Sequence, residues 1–222
     1  MSRRDILNLI EDSVFHGNMK EMKSLMQRFP DLEEIGADDV LGALSQGMEK
    51  ARINIRDGLI SIPELLLSID TFRTGTAVAG DLHKTDKRSK GVVVIGVVEG
   101  DPHDLGKNIV AALFEAYRFD VHDLGKNVSA DRFLDAVKEK KADILALSTM
   151  MSTPIENMRR LIQWSHRLYA NTKIMVGGAA IDEDIAGELG ADGYSENAAC
   201  APDIAMTLLL NSSKNKIPDE RF

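Results

Sequence analysis

Val92-Val93-Val94-Ile95-Gly96-Val97-Val98 runs without a polar residue into Glu99-Gly100-Asp101-Pro102-His103-Asp104-Leu105-Gly106-Lys107-Asn108. A helical pattern, Ile109-Val110-Ala111-Ala112-Leu113-Phe114, follows at once. An apolar run rich in β-branched residues, with no polar alternation, predicts a strand covered on both faces. The loop that leaves it carries a carboxylate, an imidazole two residues on and a glycine three further.

The same alternation continues outward from this stretch. Strands are expected over 92–98, 120–124, 144–148, 173–176 and 193–194. Helices are expected over 106–117, 130–140, 154–168, 182–189 and 201–210. Five strand–helix units predict an α/β flavodoxin-like (Rossmann-like) fold, with a five-stranded parallel sheet in the order 2-1-3-4-5. Residues 91–222 form this domain, and the polar end from 211 is expected to fray.

Residues 1–73 carry only helical periodicity and predict a four-helix bundle cap. Ile6, Leu7, Ile10, Val14 and Phe15 mark one apolar face. Met19, Met22, Leu25, Met26 and Phe29 mark a second, a methionine stripe read as core, stopped by Pro30. Val40, Leu41, Leu44, Met48 and Ala51 mark a third. Ser61-Ile62-Pro63-Glu64 resembles a capping box opening the fourth helix. Residues 74–90, with Gly75, Gly80 and a cluster of charges around His83, read as a linker.

The totals narrow the classes. The formal charge is −8, and both parts of the chain carry an acidic excess, against a nucleic-acid-binding surface. No apolar run approaches the ~20 residues that span a bilayer, and the N-terminus lacks a secretory core. One cysteine, Cys200, allows neither an internal disulfide nor a multi-thiolate metal site. These features predict a cytoplasmic protein without membrane or nucleic-acid partners.

The loop has a competitor. His103-Asp104-Leu105-Gly106-Lys107-Asn108 recurs as His122-Asp123-Leu124-Gly125-Lys126-Asn127, and Asp101 recurs as Asp120. Both copies read Asp-x-His-x-x-Gly, so the motif alone cannot choose. In a sheet of order 2-1-3-4-5 the ligand crevice lies beyond the carboxyl ends of strands one and three. His103 follows strand one; His122 falls on the edge strand. Spacing agrees: 41 residues separate Gly106 from Ser148, and 26 separate Met150 from Gly177-Gly178. Counting the same 41 from Gly125 lands on Arg167, inside a helix.

Asp-x-His-x-x-Gly, then Ser148-Thr149-Met150, then Gly177-Gly178 closely resemble the fingerprint of cobalamin-binding proteins, with Met150 where that family usually has leucine. Gly193-Tyr194-Ser195-Glu196-Asn197-Ala198 resembles the family's last cofactor-contacting turn. With the helical cap, the chain is similar to the cobalamin-binding fragment of methionine synthase and to free-standing corrinoid proteins of methyltransferase and demethylase systems.

The resemblance implies a cobalamin or related corrinoid held base-off, with His103 on cobalt, Asp101 behind its ring and Ser148 extending the relay. It implies cofactor contacts at Gly100, Pro102, Asp104, Leu105, Gly106, Met150, Ser152, Val176, Gly177, Gly178, Ala179, Tyr194, Asn197 and Ala198. Gly106, Gly177 and Gly178 would open a slot for the displaced nucleotide tail, Ser148 and Ser152 would offer it hydroxyls, and Tyr194 an aromatic wall. Ile62 and Leu65–Leu67 of the cap would shield the upper face. The implied role is a non-catalytic methyl carrier. A substrate-specific methyltransferase would load it, a second would pass the methyl group to tetrahydrofolate or coenzyme M, and a reductive activase would restore the cofactor. The competing reading is a cobalamin- or light-sensing regulator lacking its DNA-binding module. An isomerase small subunit and a flavin or phospho-acceptor protein on the same fold are further rivals.

Overall fold

The computed structural model describes residues 2–28, 35–81 and 89–214. Phe29 and Pro30, His83 and the charged residues 84–88, and the end of the chain from 215 lie outside them. The chain divides into two compact units, Met1–Arg88 and Ser89–Phe222.

The first unit holds α1 (Arg3–Phe15), α2 (Met19–Arg28), α3 (Ala37–Arg56) and α4 (Ile62–Asp81). Polar side chains at the entrances fix the starts. Ser2 and Asp5 close a capping box on α1, and the Ser61 N–H donates to Glu64 Oε2 at 2.7 Å on α4. Ile10, Met22, Leu44, Met48 and Leu65 are fully buried, so the methionine stripe is core. Leu65 therefore belongs to this interior, whereas Ile62 and Leu67 are exposed.

The expected linker over 74–90 starts too early, because α4 continues through 74–81. Gly75 reads as a breaker, but its missing side chain is needed for close packing. A Cβ there would stand 2.4 Å from Leu44 Cδ2 and 3.1 Å from Met22 Sδ. Within the segment Thr74 donates back along the helix to Asp70 O at 2.9 Å and Thr76 to Arg73 O at 3.1 Å.

The second unit is a five-stranded parallel sheet in the order β2-β1-β3-β4-β5. Its strands are β1 (Val92–Val97), β2 (Asp120–Asp123), β3 (Ile144–Ser148), β4 (Lys173–Gly177) and β5 (Gly193–Ser195). Its helices are α5 (Leu105–Ala116), α6 (Ala130–Lys140), α7 (Ile155–Leu168), α8 (Glu183–Leu189) and α9 (Ala201–Lys214). Side chains alternate between two layers. Val93, Ile95, Ile144, Ala146 and Met175 pack with Ala111 and Phe114 of α5 and Ala205 of α9. Val94, Leu145, Leu147, Ile174 and Val176 pack with Phe133 of α6, Leu161 of α7 and Leu189 of α8. Among the described residues, no helix is long and apolar enough to cross a membrane.

Candidate cofactor site

The site is built on the loop between β1 and α5. Asp101 is wholly inaccessible to solvent, yet it is a carboxylate. Both of its oxygens are saturated. Oδ1 accepts the His103 backbone N–H at 2.9 Å and His103 Nδ1 at 2.8 Å. Oδ2 accepts the Thr149 hydroxyl at 2.8 Å and the Met150 backbone N–H at 2.6 Å. Burial by itself raises the pKa of this carboxyl. The donors from His103, Met150 and Thr149 outweigh it and hold the value at about 2. An ionised carboxylate only accepts, so Nδ1 of His103 carries the hydrogen. Nε2 then presents its lone pair on a side chain that is 53% exposed. One ring nitrogen is occupied and oriented; the other is free to bind a metal.

The hydroxyl on Asp101 belongs to Thr149, not to Ser148 as expected. Alternation explains the correction. Ile144, Ala146 and therefore Ser148 face the α5/α9 layer, whereas Leu145, Leu147 and Thr149 follow the opposite parity. Ser148 instead joins a row at the carboxyl edge of the sheet, where Val97 pairs with Ser148, Ser148 with Gly177 and Gly177 with Ser195. Three neighbouring strands thus end in small residues. A Cβ on Gly106, in the first turn of α5, would meet nothing within 4 Å.

The other expected contacts divide by position. Gly100, Pro102, Leu105, Met150, Ser152, Ala179 and Asn197 are exposed around this edge. Asp104 caps α5 without a side-chain bond, and Asn197 caps the turn that begins at Ala198. Gly178 is glycine for packing: at φ +112°, its Cβ would fall 2.1 Å from Thr149 O. Two of the residues pack their side chains inward. The Val176 side chain lies in the α6–α8 core, leaving its backbone at the edge. Tyr194 packs on that same face and donates to Ile181 O at 3.2 Å. Trp164 borders a separate cavity of ≈ 330 Å³ near α6 and α7, with Glu99, Ser129, Asn157 and Arg160.

Residues 91–203 match the B12 binding domain family. The chain belongs to the corrinoid proteins. A corrinoid protein of Desulfitobacterium hafniense is 30% identical over 210 residues, covering 92% of this chain and 97% of its own. Dimethylamine corrinoid protein 3 of Methanosarcina acetivorans is 36% identical over 170 residues, covering 75% and 80%. Among solved structures, a chain of the methanol:cobalamin methyltransferase complex of Methanosarcina barkeri superposes with a TM-score of 0.83 at 27% identity, covering 99% of this chain and 87% of that one.

The cofactor is accordingly cobalamin or a related corrinoid, and the site suits it. Among the described residues, no three His, Cys, Asp or Glu side chains gather to hold a bare ion. A single oriented imidazole suits a metal whose equatorial positions are filled by a macrocycle. The small-residue row and the open space at Gly106 leave backbone accessible to a bulky group.

The second hexapeptide touches the first at two points and the loop leading into it at a third. His122 lies in edge strand β2, half-buried, its Nε2 3.6 Å from Asp120 Oδ2. Asp123 pairs with Lys107, Asn127 Oδ1 accepts the Gly100 N–H at 2.7 Å, and Lys126 lies 3.9 Å from Asp104. Thr149, Lys107, Asp123 and Asn127 are the residues that sequence reasoning missed. Strand parity could have pointed to Thr149; the contacts of the other three join separate elements and carry no local signal.

Proposed function

We propose that this protein is a methyl carrier, loaded by a substrate-specific methyltransferase and unloaded by a second one that passes the methyl group to tetrahydrofolate or coenzyme M. A reductive activase restores the cofactor after adventitious oxidation. The bound corrinoid supplies the chemistry, because its cobalt can take up and release a methyl group. One observation carries the reading: a chain aligned almost end to end with a chain of a methanol:cobalamin methyltransferase complex presents one imidazole nitrogen, locked in orientation, at the switch point.

In this reading His103 Nε2 would hold the cobalt of the corrinoid, while Asp101 holds the Nδ1 proton. Sharing of that proton tunes the basicity of the ring, and the Thr149 hydroxyl and Met150 N–H keep the carboxylate in place. Ser148, Ser152, Gly106 and Gly177 would line the room for the nucleotide tail, and exposed Met150 and Leu105 would offer apolar surface to the ring. The acidic formal charge gives no support to a nucleic-acid partner.

The test is to reduce the corrinoid-loaded protein and mix it with candidate methyltransferases and their methylated substrates. The corrinoid absorption changes with one substrate class only. A spectrum unmoved by every partner, but bleached or shifted by light alone, would favour the sensory reading instead.

A further inference from the structure

We infer that the ion pair between buried Lys107 and partly exposed Asp123 is a positioning clasp, through which the second hexapeptide sets the place of the His103 loop. This inference rests on the methyl-carrier reading for its functional consequence, not for its geometry. Lys107 is 2% exposed. Its Nζ donates to Asp123 Oδ2 and to Asn108 Oδ1, the latter at 2.6 Å. The position is unfavourable for a cation on two counts. Burial strips the ammonium of water, and the third residue of α5 stands at the positive end of the helix dipole. An apolar residue would fill the same space without either cost. What the pair provides is a fixed geometry, the best-attested use of a buried charge.

The geometry converges on the loop. Asp123 is itself oriented, since its Oδ1 accepts the Gly125 N–H at 2.8 Å. The clasp therefore ties the first turn of α5 to the end of β2, just after His103. Just before His103, Asn127 of the same hexapeptide accepts the Gly100 N–H. Asp101 in the middle is tied to Thr149 and Met150 beyond β3. The imidazole is thus located from both neighbours of β1: by Asp101 from the β3 side, and by the clasp from the β2 side. Among the described residues, the hydrogen bonds of Lys107 and Asp123 go to neither the ring nor its carboxylate, so they are positioning residues.

The experiment uses full-length Lys107→Met and Asp123→Asn proteins, with Asp123→Asn as the near-isosteric change at a partly exposed site. In cofactor-free protein, amide exchange at Gly100 and His103 should quicken about tenfold in both variants while the overall fold is retained. In corrinoid-loaded protein, the spectroscopic signature of imidazole ligation to cobalt should weaken in both. Folded variants with wild-type exchange and wild-type ligation would overturn the clasp. If the wild-type protein itself binds corrinoid without imidazole ligation, the methyl-carrier geometry fails, and the cofactor-free exchange still decides the clasp. If Lys107→Met does not fold, Asp123→Asn decides it.

Discussion

Two copies of His-Asp-Leu-Gly-Lys-Asn, nineteen residues apart and each led by an aspartate, occupy different places in one sheet. The first leaves central strand β1 and turns into a helix; the second ends edge strand β2 and turns into a loop. Asp101 is buried under four donors, whereas the Asp120 side chain is 58% exposed. Lys107 is buried and paired; Lys126 is largely in solvent. Gly106 is helical, and Gly125 has φ +86°. In the reading proposed above, the identical hexapeptide yields a site in one copy and its support in the other. The difference is made by strand order, which places the crevice beside β1 and leaves β2 at the rim.

The largest effect expected from breaking this comparison is at the histidines. His103→Ala should abolish imidazole ligation of cobalt in the loaded protein, and His122→Ala should leave the spectrum as it was. A spectrum changed by His122→Ala and not by His103→Ala would reverse the assignment of the two copies.

The aspartates should separate next. Asp101→Asn leaves donors from His103, Thr149 and Met150 facing an amide that can also donate, a mismatch worth about 2–3 kcal/mol. Asp120→Asn should stay within about 0.5 kcal/mol. Denaturant unfolding of the cofactor-free variants measures both. Acid sharpens the contrast. The Asp101 pKa is lowered from 3.8 to about 2, so the folded state resists protonation. Its contribution is fully present above about pH 4 and is lost as the pH falls through about 2, a difference on the order of 2 kcal/mol. The wild-type and Asp120→Asn proteins should show that slope, and Asp101→Asn should lack it.

Smaller still is the contrast within the relay. Thr149→Val removes a donor from a buried carboxylate and should cost about 1–2 kcal/mol. Ser148→Ala should leave the Asp101 slope unchanged, because its hydroxyl faces the other layer. An acid slope sensitive to Ser148→Ala would restore the relay first expected.

These contrasts also mark where the sequence was legible. Strands β1, β3 and β4 are continuous apolar runs, so period and punctuation found them within a residue or two. The carboxyl half of α4 was hidden because Gly75, Gly80 and the charges that follow look like a linker until Leu44 is seen packed against Gly75. The Asp101–His103 hydrogen bond was legible because it is local. The Thr149 bond was not, because motif spacing points at Ser148 and only side-chain parity moves the contact by one residue. The Lys107–Asp123 pair bridges a helix and an edge strand, and no local pattern announces a contact between two separate elements.

The glycines of the repeat give the finest contrast, because the same substitution should act with opposite signs. Gly106 has helical dihedrals, and a Cβ there meets nothing within 4 Å. In cofactor-free protein Gly106→Ala should therefore stabilise α5, by up to about 1 kcal/mol, through the ordinary preference of helices for alanine. Gly125 also has open space for a Cβ, but its φ of +86° strains any other residue, so Gly125→Ala should destabilise by about 1 kcal/mol. Corrinoid loading should invert the order. The added methyl group at Gly106 occupies room that the fold itself does not use, so the more stable variant should bind cofactor more weakly, while Gly125→Ala loads as wild type. Thermal unfolding and corrinoid titration on the two variants separate a glycine kept for a ligand from one kept for a turn. Equal cofactor affinity in both would mean that the space beside Gly106 is not where the corrinoid sits.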